Sequence, residues 1–79
     1  MLGVSDAGYD AATQLRRRPN LDDRDLAYLA AVDIVDTYPV QDVYDLANRT
    51  PFLGGDASYR LKVVREWLDE GLIEKGKGW

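Results

Sequence analysis

The chain has no cysteine and no histidine among its 79 residues. The first absence excludes a disulfide framework and any thiolate metal site. The second removes the commonest general base and the commonest zinc ligand. No apolar run approaches the roughly 20 residues a helix needs to cross a bilayer, and no signal-peptide pattern opens the chain. A cytoplasmic protein with no membrane partner is therefore expected. The phosphate-loop, dinucleotide, zinc-protease and nucleophile-elbow motifs are also missing. Carboxylates abound, but they stand at helix starts and on wet faces, where capping and solvation account for them. A paired acid site drawn from Asp33, Asp36 or Asp69 is the weaker reading. Asp22, Asp23 and Asp25 lack the twelve-residue ligand spacing of a calcium loop. No catalysis, metal or cofactor is expected.

What is present suits one small domain: 46% hydrophobic and 30% charged residues. A chain this short buries only about 60–65% of its unfolded surface, so a partner subunit would help it. The net charge of −4 is unevenly spread. Residues 1–20 carry three Arg against two Asp, and residues 49–79 carry six basic against five acidic side chains, so each segment is +1. Residues 21–48 hold Arg24 against seven Asp, leaving −6 in the middle. The preference for Asp over Glu and Arg over Lys points to a G+C-rich coding source, which a salt-adapted or phage-encoded protein would have.

The clearest element lies near the C-terminus. Gly54-Gly55 breaks the chain, Asp56 is a good N-cap, and Leu61, Val64 and Leu68 recur at helical spacing with Trp67 beside them. Gly71 can take the left-handed position that ends a helix. Leu72 and Ile73 leave as a short apolar run into a turn at Lys75-Gly76-Lys77-Gly78. Upstream, Leu21 and Leu26 flank an Asp22 cap as a hydrophobic staple, and the helix runs to Thr37 ahead of Pro39. Its apolar arc is broad, with Asp33 and Asp36 on the wet side. A further helix covers residues 41–49, with Tyr44 at its edge. Phe52 and Leu53 are expected to anchor the loop that follows.

The first twenty residues read as an arm or short helix, capped by Ser5 or Asp6 and stopped at Pro19. Arg16, Arg17 and Arg18 there either complete the negative end of the helix dipole or reach phosphate. Three main helices are thus expected near 22–37, 41–49 and 57–70. Leu26, Leu29, Val43, Leu46, Leu61, Val64 and Leu68 should be buried together.

Two stretches, Tyr59-Arg-Leu-Lys-Val-Val-Arg65 and Trp67-Leu-Asp-Glu-Gly-Leu-Ile-Glu-Lys75, resemble the recognition helix and first wing strand of winged helix-turn-helix proteins. The likeness spans residues 21–79 and is closest to small archaeal, bacterial and phage regulators. It implies a mainly α fold with a small β-hairpin, built on a three-helix winged helix-turn-helix core. Gly76 to Trp79 would be the wing turn and the start of its return strand, either abbreviated or continued in a longer protein. The loop between the second and third main helices is longer than a tight helix-turn-helix connection.

The resemblance implies sequence-specific binding of double-stranded DNA and transcription regulation. In that reading Ser58, Tyr59, Arg60, Lys62 and Arg65 face the major groove, and Lys75 and Lys77 touch phosphate from the wing. A homodimer, paired through helix 22–37 or residues 5–18, would match a palindromic site. Two alternatives keep the fold and change its use. One is a protein-interaction module that binds a partner through the acidic segment 21–48. The other is an excisionase-like architectural DNA binder.

Overall fold

Four short polar side chains start the four helices of the structure, a computed structural model that describes residues 1–76. Ser5, Asp22, Asp42 and Asp56 each sit in extended backbone and accept a hydrogen bond, at 2.8–3.0 Å, from the backbone N–H three residues on. They open α1 (Asp6–Arg16), α2 (Asp23–Thr37), α3 (Val43–Arg49) and α4 (Ala57–Asp69). Such a cap satisfies one of the free donors of a first turn and contributes about 1 kcal/mol. At Asp22 the bond is reciprocal, because the Asp25 carboxylate accepts from the Asp22 N–H at 3.3 Å.

Gly71 ends α4 with φ at 76°. Its N–H donates to the Leu68 carbonyl at 3.1 Å and the Leu72 N–H to the Trp67 carbonyl at 3.0 Å, a Schellman turn. The chain leaves this turn as β2 (Ile73–Lys75), which was expected to pair with a return strand in a C-terminal hairpin. Among the described residues it pairs, antiparallel, with β1 (Leu2–Val4) at the opposite end of the chain. The register sets Leu2 against Lys75 and Val4 against Ile73. The other edge of β1 is also used, since the Leu2 N–H donates to the Val40 carbonyl at 2.9 Å. The expected turn residues Lys77 and Gly78, and the return strand from Trp79, lie outside the described residues. The fold is thus mainly helical with a small two-stranded antiparallel sheet.

Residues 1–20 share the core of the remaining chain. Leu2 and Ala12 are buried in one cluster with Val32, Leu46, Val64 and Ile73. Gly8 permits this, because its backbone lies so close to the Leu72 carbonyl that no side chain fits between them. Ser5 closes the same junction: its Oγ donates to the carbonyls of Gly71 and Leu72.

Several core expectations are corrected. On α4 the buried residues are Val63, Val64 and Trp67, while Leu61 and Leu68 are half-buried. The helix is rotated by roughly a quarter turn from the Leu61–Val64–Leu68 stripe, given about 100° per residue. Trp67 drives that rotation, since its ring packs edge-on against Tyr28 with centroids 5.3 Å apart and buries more apolar surface than a leucine would. On α2 the buried face is Ala27, Tyr28, Ala31, Val32 and Val35, with Leu26 and Leu29 half-buried. Ala27 and Ala31 stand one turn apart and let neighbouring elements approach where leucines would hold them off. Val43 is also half-buried. Of the two loop anchors only Leu53 is buried; Phe52 is 54% exposed and takes a left-handed φ of 71°.

Tyr28 gives the fold an alkaline limit. Its hydroxyl donates to the Gly8 carbonyl at 2.7 Å in the interior, and burial, helped by the Glu70 charge, pushes its pKa up to about 12. The fold accommodates the neutral phenol. This contribution to stability is therefore complete below the unfolded value of 10.0 and is lost as pH climbs towards the folded value. Urea denaturation between pH ~8 and ~12 should show a loss approaching 2–3 kcal/mol, roughly two pKa units. In Tyr28→Phe the decline should be shallower; an equally steep decline in that variant would contradict the assignment.

Candidate nucleic-acid interface

The outward face of α4 carries Ser58, Tyr59, Lys62 and Arg65, all exposed. Their spacing places Ser58, Lys62 and Arg65 along one stripe, opposite the buried Val63 and Trp67. Arg60 is different: it is half-buried, and its Nε is enclosed without a hydrogen-bond partner. Lys75 is exposed on β2, and Lys77 lies outside the described residues.

Two residues of α3 that sequence reasoning left out of the site complete this surface. Tyr44 is 58% exposed, and the Arg65 guanidinium lies over its ring, 6.0 Å from the centroid. Arg65 Nη2 also stands 3.5 Å from the Tyr44 hydroxyl. Asn48 follows one turn later and lines, with Tyr44, Ala47, Ser58 and Leu61, a shallow groove of about 220 Å³ between α3 and α4. The i, i+4 spacing of Tyr44 and Asn48 on the wet edge of α3 was the available signal.

The arginines of residues 16–18 do not join this face. Arg16 pairs with Asp33 at 3.6 Å. Arg18 borders a separate cleft with Arg24, Trp67 and Glu70, on the far side of α4 from Arg65. Arg17 is exposed just past the end of α1.

Charge pairing separates the cations into two groups. Arg24 bridges α2 to α4 through Glu66 at 2.5 Å, and donating this hydrogen bond to the Glu66 carboxylate raises the Arg24 pKa further. Glu66 is thereby drawn off the outward face. Arg49 holds Asp45 at 2.8 Å, and this bond, helped by the Gln41 N–H, keeps the Asp45 carboxyl below its ordinary value. Lys62, Arg65 and Lys75 have no carboxylate within ion-pair distance among the described residues; the same holds for Arg17, Arg18 and Arg60, but these lie off the outward stripe of α4.

The acidic middle segment is largely committed to local bonds. Asp22 and Asp25 form the reciprocal cap of α2, and Asp42 caps α3. Asp33 and Asp45 hold arginines. Asp36 accepts from the Tyr9 hydroxyl at 2.5 Å, a bond that raises the Tyr9 pKa. Among the described residues no cluster of three or more acidic side chains is placed to hold a metal ion, and no helix is long and apolar enough to cross a membrane. No family model, curated protein or solved structure matches the chain.

Proposed function

We propose that the protein binds double-stranded DNA through α4, as a small regulator of winged helix-turn-helix type. The observation that carries this reading is the grouping of Lys62, Arg65 and Lys75, three cations without carboxylate partners among the described residues, beside the hydrogen-bonding side chains of Ser58, Asn48 and Tyr44. Unpaired cations gain most from phosphate, because no internal ion pair must break first. Short polar side chains at the start of a helix reach base edges in the major groove. In this reading α2, α3 and α4 form the three-helix core and β2 is the first wing strand. Since β1 already holds one edge of β2, a returning wing strand would have only the other edge.

The bonding of the acidic segment supports this reading over a partner docked on residues 21–48. Carboxylates that cap helices or hold arginines are less free to recognise another protein.

Selection of preferred duplexes from a random pool tests the proposal. Wild-type protein should enrich a defined sequence, and Ser58→Ala or Tyr59→Ala should relax the preference at one position by about 1–3 kcal/mol. Arg17→Ala with Arg18→Ala should leave the enriched sequence unchanged. Selection that yields no preferred sequence, or a preference altered only by the Arg17 and Arg18 changes, would overturn it.

A further inference from the structure

We propose that the cleft between α3, α4 and β2 is a binding site for a small amphipathic monoanion, an apolar ring system bearing one carboxylate. The cleft measures about 590 Å³, within the roughly 300–1,000 Å³ typical of small-molecule sites. Leu2, Val43 and Leu68 supply its apolar wall. The last two are the residues whose spacing suits a core and whose surface the fold leaves half-covered. An apolar body seated there would complete the burial of both.

The rim selects the charge. Arg65 and Lys75 both border the cleft, and neither has a carboxylate partner among the described residues. Arg65 is held over Tyr44 rather than swinging free, so its donors are partly organised for an anion in advance. Two acids also stand on the rim. Asp42 is occupied, its Oδ1 accepting from the Asp45 N–H at 2.9 Å. Asp69 is the second opposing charge. Asp42 keeps its charge, offset in part by the positive end of α3 that it caps, so two carboxylates stand beside two cations; that balance accepts at most a single negative charge and disfavours a dianion such as a phosphate monoester.

Titration of the full chain with 2-naphthoate, followed by amide chemical shifts in the absence of DNA, tests the site. The expected result is saturable one-to-one binding with the largest shifts at Val43, Tyr44, Leu68 and Gly76. Arg65→Gln with Lys75→Gln should weaken it by about tenfold or more while the remaining spectrum stays folded, the loss of charge-assisted hydrogen bonds. The uncharged 2-naphthamide should bind more weakly to wild-type protein by a similar factor. Shifts that do not saturate, that map to another surface, or that are unchanged in the double variant would overturn the proposal. Because Arg65 also belongs to the proposed DNA face, naphthoate should displace DNA. That consequence alone rests on the DNA reading, and the titration without DNA stands or falls separately.

Discussion

Trp67→Ala is expected to destabilise the protein by about 3–5 kcal/mol, whereas Leu68→Ala, one residue along the same helix, costs about 1–2 kcal/mol. Trp67 is 5% exposed and stacks edge-on with Tyr28, so its removal leaves a cavity against α2 and strips an aromatic contact. Leu68 is half-buried on the wall of an open cleft, where truncation removes apolar area without opening a sealed void. Urea denaturation of the two variants decides the matter. Should Leu68→Ala prove as costly as Trp67→Ala, α4 would be turned with its leucines inward. If Trp67→Ala does not fold, Trp67→Phe, which keeps a ring against Tyr28, gives the same comparison at smaller amplitude.

The second large effect is expected at Gly8. A Cβ there would stand 2.2 Å from the Leu72 carbonyl oxygen and 2.7 Å from Val4 Cγ1. The carbonyl cannot yield cheaply, because it accepts from the Ser5 N–H at 3.1 Å and sits on the Schellman turn. Nor can α1 lift away without loosening the Gly8 carbonyl from the Tyr28 hydroxyl. Gly8→Ala should therefore cost about 3 kcal/mol or more, at the upper end of overpacking effects. Gly3→Ala is the control: nothing lies within 4 Å of the added atom, and the expected change is within about 0.5 kcal/mol. Equal midpoints for the two variants would contradict the close approach of α1 to the end of α4.

The helix boundaries were legible because they are local. Asp22 and Asp56 announce themselves by the free N–H groups that follow them, and Gly71 by the conformation only glycine adopts without strain. The N-terminal strand was not legible. Leu2, Gly3 and Val4 carry no periodicity over three residues, and their partner Ile73–Lys75 lies at the other end of the chain. The register of α4 was misread for a related reason. Leu61 and Leu68 form the cleaner stripe, and only the position of Tyr28 on another helix decides for Trp67. In the candidate site, Ser58, Tyr59, Lys62 and Arg65 followed from helical spacing alone. The Arg65–Tyr44 pair did not, because it depends on how α3 crosses α4, and the separation of Arg16, Arg17 and Arg18 from that face depends on the same packing.

An acidic protein is expected to attract DNA through one local group of cations, Lys62, Arg65 and Lys75, which have no carboxylate partner among the described residues. The most direct test is a salt-dependent titration of the full wild-type chain against labelled random-sequence duplex DNA, beside the Lys62→Ala/Arg65→Ala/Lys75→Ala variant. The account predicts measurable affinity at low salt with a log–log slope of about −2 to −3 for wild type, near −0.9 for each phosphate contact, and a slope close to zero for the folded variant. Absence of wild-type binding at low salt, or a variant that keeps the wild-type slope, would contradict it.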